Sequence, residues 1–115
     1  MKRRRTVKAF AHRRVPEYQA WIRSFACLLR GRDPDKYFSC PLGIFGSQCA
    51  HVQSRGAGGD DIGNCVPLCA YHHDAQHTMG IVSFQQHYGI DLHAIARDLG
   101  RQYAARKAVT ERWGT

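Results

Sequence analysis

A chain of 115 residues, 43% hydrophobic and carrying a net charge of +8, suits one domain with one modest core. No run is long and apolar enough to span a membrane, and the basic N-terminus lacks the apolar stretch of a secretory signal, so the chain reads as cytoplasmic with no membrane partner. Its five cysteines (Cys27, Cys40, Cys49, Cys65 and Cys69) are an odd set, which in that compartment argues against a disulfide framework and leaves metal ligation or burial.

The charge is unevenly spread. Residues 1–32 hold ten Lys or Arg against one acid, Glu17, whereas residues 33–115 hold seven basic against eight acidic residues. A basic arm over residues 1–14, on a near-neutral domain over 15–115, points to a polyanion as partner, most simply nucleic acid. A solvated tail that aids solubility is the plainer alternative.

After the arm, Pro16 can open a helix, and Tyr18, Trp21, Ile22, Phe25 and Leu29 recur at helical spacing, which predicts a helix over residues 16–30 ended by Gly31. From Tyr37 to Val52 a mixture of aromatic, branched and Gly residues suggests a short β-hairpin. A Gly-rich loop follows, and then "CVPL", an extended piece because Pro67 restrains Val66. A helix is expected from about Cys69 to Met79 with Gly80 as its stop. Ser83 should cap a short helix ending near Gly89, and Asp91 should cap the last one, with Leu92, Ile95, Ala96, Leu99 and Tyr103 as its buried stripe. The class is α+β, a short hairpin with flanking helices, and its core spans about residues 37–80.

The stretch "CVPLCAYHHDAQH" carries the chemistry. His73 and His77 are four apart, so on a helix they share a face and can grip one divalent ion. His72 is rotated by about 100° from His73 and looks elsewhere. Cys69 lies three before His72, and Cys-x2-His at a helix start is half of a tetrahedral zinc site. The plainer reading is a His-rich exposed face with Cys69 buried as a small hydrophobe. A structural zinc needs two further ligands. Cys40 in the hairpin is one, and the other is either Cys27 or Cys49; Cys65 alternates away into the core.

The segment "CAHVQSRGAGGDDIGNCVPLCAYHHDAQH", about a quarter of the chain, resembles the HNH endonucleases, especially small ones of phage and prophage origin. The resemblance implies a treble-clef-like ββα-metal core in which a hairpin, a loop and a helix clasp an ion. It implies that His51 is the general base, that Asn64 orients that histidine and its loop, and that His73 and His77 ligate the catalytic ion. Cys69 and His72 match the second half of the structural zinc knuckle. Two positions depart from the pattern. Ala50 stands where many members carry a metal-ligating acid or His, so that the ion would rest on His73, His77, waters and substrate phosphate, or recruit Asp60 or Asp61. Arg30 stands where the first knuckle would have its second Cys, which leaves Cys27 as a remnant ligand with Cys40 or Cys49 replacing the lost one.

The implied activity is metal-dependent hydrolysis of DNA phosphodiester bonds. An imidazole such as His51 can take a proton from water near neutral pH if its ring is held still, by a backbone carbonyl or by an amide such as Asn64. The catalytic ion is expected to be Mg²⁺, Mn²⁺ or another first-row ion, and imidazole ligands favour the softer ions over Mg²⁺. Gly56, Gly58 and Gly59 would let backbone approach DNA, with Arg55 on a phosphate; Arg3, Arg4, Arg5, Arg13 and Arg14 would add sequence-independent affinity. The rival expectation is a zinc-dependent DNA-binding accessory protein without catalysis, kept open by Ala50.

Overall fold

The computed structural model describes residues 14–31, 40, 47–53 and 60–112. Among these lie four helices and one two-stranded antiparallel sheet: α1 (Pro16–Arg23), β1 (Gln48–His51), β2 (Cys65–Leu68), α2 (Ala70–Met79), α3 (Ile81–Tyr88) and α4 (Leu92–Arg112). None of the helices among the described residues is long and apolar enough to cross a membrane. The arm through Arg13 and Gly56, Gly58 and Gly59 of the loop fall outside the described residues.

Pro16 opens α1, where its missing N–H costs no hydrogen bond, and Tyr18 and Ile22, four apart, form its buried face. The helix is shorter than its apolar spacing suggests: it stops at Arg23 rather than near residue 30. The Ser24 hydroxyl donates to the Trp21 carbonyl, and Ser47 arrives from β1's side to donate its hydroxyl to the Phe25 carbonyl at 2.7 Å. These contacts satisfy carbonyls that a longer helix would have bonded internally. The chain then turns over Cys27–Arg30, with the Arg30 N–H on the Cys27 carbonyl at 3.0 Å and the Leu28 N–H on the Pro67 carbonyl at 2.9 Å. Phe25 and Leu29 are apolar for other reasons: Phe25 meets Trp21 edge to face at 4.9 Å, and Leu29 is buried from the turn.

The reading of residues 37–52 as a hairpin in itself is corrected in its described part. β1 pairs with β2 in the register Gln48↔Leu68, Cys49↔Pro67, Ala50↔Val66 and His51↔Cys65. Residues 32–39 and 41–46 lie outside the described residues. Strand alternation then divides the protein into two cores. Ala50, Val52, Val66 and Leu68 pack with Phe84, Leu92 and Ala96, while Cys65 packs with Tyr18 and Ile22 of α1. Leu99 of α4 touches both groups. Burial pushes the Tyr18 phenol up to about 12, so it sits in that second core as a neutral hydroxyl, accepting the Gly63 N–H at 3.4 Å.

Gly80 ends α2 at φ +87°, a backbone state that a side chain would strain, and its carbonyl accepts the Phe84 N–H at 2.9 Å to begin α3. Ser83 therefore lies inside α3 and is not its cap. Asp91 does cap α4, its carboxylate accepting the Ala94 N–H at 3.0 Å. The stripe Leu92, Ile95, Ala96, Leu99 and Tyr103 faces the cores.

Where α4 crosses the loop ahead of β2, Gly100 lies against Gly63: a Cβ on Gly100 would stand 2.8 Å from the Gly63 Cα. Backbone cannot yield as a flexible side chain can. Gly100→Ala should therefore lower the melting temperature despite the roughly 1 kcal/mol of helix propensity it regains, because overpacking costs about 1–3 kcal/mol. Gly100→Val should lower it further; thermal unfolding of the two variants checks the order.

Candidate functional site

The α2 helix carries ligand-type side chains on two faces. On the inner face, His72 is fully buried, and three sulfurs converge on its Nδ1: Cys69 at 3.2 Å, Cys40 at 3.4 Å and Cys27 at 3.5 Å. All four ligand atoms lie within 4.8 Å of one another. A tetrahedral ion with bonds of about 2.3 Å to sulfur and about 2.0 Å to nitrogen would set S···N near 3.5 Å and S···S near 3.8 Å. The sulfur–nitrogen distances match that spacing, so the cluster could hold a metal ion. Its chemistry agrees, since burial pushes the Cys27 and Cys40 thiols up. A cation is what would make thiolates acceptable there.

Each ligand has a local cause. Cys69, extended at φ −67° and ψ 168°, precedes α2, so its side chain and that of His72 one turn on converge. Cys27 reaches in from the turn where α1 stops short. Cys49, the alternate ligand, is not part of the cluster: the β1 alternation sends it to the opposite side, where it packs against the Tyr18, Ile22 and Cys65 core. The Tyr71 and Tyr88 rings stand edge-on to the His72 ring at 5.2 and 5.4 Å and shield it.

The outer face of α2 borders a cleft of about 520 Å³ lined by Gln19, Arg23, Gln48, Cys49, His51, His73 and His77. His73 Nδ1 lies 2.7 Å from Gln48 Oε1. An amide oxygen only accepts, so Nδ1 carries the hydrogen and His73 Nε2 keeps its lone pair. That Nε2 is 3.1 Å from His77 Nε2. Two nitrogens at this separation fit one shared ion at about 2.1 Å, with an angle near 95° between the bonds. Burial, together with the neighbouring His77 and His51, lowers the His73 pKa, with Asp74 opposing. Among the described residues, no carboxylate lines the cleft. Ala50, at the position where the resemblance expects an acid or His, is fully buried in the first core and does not reach the cleft.

His51 is held by a residue that the sequence reading placed elsewhere. Its Nε2 lies 2.7 Å from Asp61 Oδ1. The other oxygen of Asp61 accepts the Val15 N–H at 2.6 Å and the Gln19 amide at 2.7 Å. Asp61 is 0% exposed, and with three donors on it this carboxylate is not a free ligand for an ion in the cleft. His51, Asp61 and Cys65 do form a second compact group, but its carboxylate is already satisfied by hydrogen bonds. Asp60 does not line the cleft either; its carbonyl accepts from Asn64 Nδ2 at 2.9 Å. Asn64 also donates to the Gln53 carbonyl at 2.7 Å and accepts the Gln53 N–H at 2.9 Å. It thus clamps the ends of the loop, while the ring of His51 is held by Asp61. Gln76 of α2 donates to the His51 carbonyl at 3.0 Å, tying the ligand helix to the strand that carries His51.

The remaining sequence candidates for nucleic-acid contact are distributed otherwise. Arg14 is exposed, and Arg3, Arg4, Arg5, Arg13 and Arg55 lie outside the described residues. Among the described residues, the cation in the cleft wall is Arg23, which the sequence reading did not single out. Gln19 and Gln48 were also missed, and Asp61 was named only as a ligand that the ion could recruit, not as the partner of His51. Spacing carries no sign of them, because each acts through contacts distant in sequence. Comparison with family models, with curated proteins and with solved structures returned no match.

Two outcomes follow. Purified protein should carry one tightly held divalent ion per chain; Cys69→Ser should reduce that stoichiometry, read by elemental analysis, and lower the melting temperature. Burial alone would raise the Asp61 pKa, but the hydrogen bonds from His51, Val15 and Gln19 outweigh it and the net shift is downward. A lowered folded pKa contributes stability that is complete above the ordinary carboxylate value and is lost as pH falls through the folded value. Asp61→Asn should therefore be less stable at neutral pH, and the gap to wild type should narrow as pH drops from about 5 to about 3. Melting temperatures across that range check it, and the comparison between the two proteins cancels acid loss of the clustered metal.

Proposed function

We propose that this chain is a metal-dependent endonuclease of the HNH type that hydrolyses DNA phosphodiester bonds, with zinc as a structural ion at the cluster of Cys27, Cys40, Cys69 and His72. The observation that carries the reading is the cleft in which His51 faces the pair His73 and His77, whose Nε2 atoms are 3.1 Å apart. A three-sulfur, one-imidazole set suits Zn²⁺. His73 and His77 would hold the second ion, and two imidazoles favour Mn²⁺ or a later first-row ion over Mg²⁺. When bound, that ion supplies positive charge to the scissile phosphate and to its leaving oxygen.

The chain's own residues do the rest. His51 takes the proton from the attacking water. Gln48 fixes the tautomer of His73 so that the ligand nitrogen is bare. Arg23 offers a cation to a substrate phosphate on the α1 side of the cleft. The basic N-terminal residues add affinity for the DNA backbone that falls with salt. Because no carboxylate is among the described residues that line the cleft, a substrate phosphate would be the anionic partner of an ion on His73 and His77.

The absence of a carboxylate among the described residues that line the cleft also favours a second reading, a zinc-dependent DNA-binding protein that does not cut. Plasmid nicking across Mg²⁺, Mn²⁺, Co²⁺, Ni²⁺ and Zn²⁺, with a chelator control, separates the two. We expect nicking with at least one first-row ion. His51→Ala should reduce it by about 100-fold or more while leaving DNA binding intact. Full activity in that variant overturns the base assignment, and no nicking with any ion favours the second reading.

A further inference from the structure

The nuclease reading needs a base, but it does not say which nitrogen of His51 works or what selects it. We propose that Asp61 is the positioning residue of His51: its carboxylate holds the ring in the Nε2–H tautomer, so that Nδ1 is the nitrogen that takes the proton from water. The role of Nδ1 in proton transfer rests on the nuclease reading, whereas the tautomer stands independently of it.

The geometry leads there in three steps. An ionised carboxylate has acceptors and no donor, so the His51 nitrogen 2.7 Å from Asp61 Oδ1 must carry the hydrogen. A neutral imidazole carries one such hydrogen, which leaves the lone pair on Nδ1. The carboxylate is itself immobile, because Val15 N–H and Gln19 Nε2 occupy Oδ2 and leave Oδ1 to the ring. A carboxylate with one partner could rotate; this one is tied to two further donors and is fully buried.

The same buried charge suits the step that follows. When water is activated, its proton passes to Nδ1, its oxygen forms the new bond to phosphorus, and the bond to the leaving 3′ oxygen breaks with its electron pair, which solvent protonates. His51 then carries a positive charge, and the adjacent Asp61 carboxylate offsets it without being protonated. Because Val15 and Gln19 belong to the start of α1, ring orientation also depends on the docking of α1. That helix is thus part of the site.

Long-range ¹H–¹⁵N spectra of the histidine-labelled full chain test this directly, with His51→Gln assigning the signals by their loss. At mildly alkaline pH we expect His51 to show a protonated Nε2 and a bare Nδ1. Asp61→Asn, which offers a donor as well as an acceptor, should let the other tautomer rise and lower kcat by about 100-fold or more with the Kd for DNA unchanged. An Nδ1–H tautomer in the wild type overturns the proposal, as does an Asp61→Asn protein with unaltered tautomer and activity. If Asp61→Asn does not fold, Gln19→Ala keeps the carboxylate with one donor fewer and should give mixed tautomers and a reduced kcat; unchanged values there overturn the dependence on α1. A wild type with the Nε2–H tautomer that nicks nothing removes the nuclease role and the proton-transfer step, while the pairing with Asp61 survives.

Discussion

Three sulfurs meeting one imidazole nitrogen inside the core is the constraint from which the rest of this structure follows. Cys27, Cys40, Cys69 and His72 come from the turn after α1, from residue 40 and from the start of α2, so the cluster joins segments far apart in sequence. Without a cation the arrangement buries thiols and a ring nitrogen against one another. With a divalent ion it contributes on the order of 10 kcal/mol. The total stability of an ordinary domain is about 5–15 kcal/mol. In so small a chain an ion bound there would therefore match the net stability of an ordinary domain.

Fixing His72 inward also decides where His73 goes. Successive residues on a helix differ by about 100°, so one imidazole enters the core and the next faces the cleft. Strand β1 uses the same device with a period of two. Ala50 and Val52 fill the first core, while Cys49 and His51 line the cleft. Gln76 then links the two elements at the His51 carbonyl. The cleft is thus the outer side of the same strand and helix whose inner sides form the core and the metal cluster. A change that loosens the cluster should displace the cleft histidines with it.

What could be read in the sequence was what local chemistry controls. Gly80 and Asp91 announced the end of α2 and the start of α4, and the spacing of Cys69, His72, His73 and His77 announced two faces of one helix. The end of α1 was not legible, since Ser47 satisfies its last carbonyls from another part of the chain and Phe25 and Leu29 continue the apolar spacing past it. Nor was the strand pairing: residues 48–51 find their partner beyond the loop, at 65–68. Cys49 and Cys27 were equivalent as candidates until strand direction separated them. Asp60 and Asp61 are adjacent and identical in type. Only burial, with three donors converging on one of them, distinguishes the residue that holds His51 from the one that lends a carbonyl to Asn64.

That distinction also sets the electrostatics of the cleft. Had Asp61 faced outward, its charge would have stood beside His73 and His77, favouring a tightly held ion and repelling an anionic substrate. Instead its charge is turned inward, toward the α1 backbone, an amide and one side of the His51 ring. The wall left facing solvent consists of three imidazoles, two amides, a thiol and Arg23. Among the described residues, such a wall offers imidazole nitrogens and one guanidinium, with the Asp61 carboxylate turned away from it. The same buried carboxylate that holds the His51 ring thereby adds no negative charge to the described lining of the cleft.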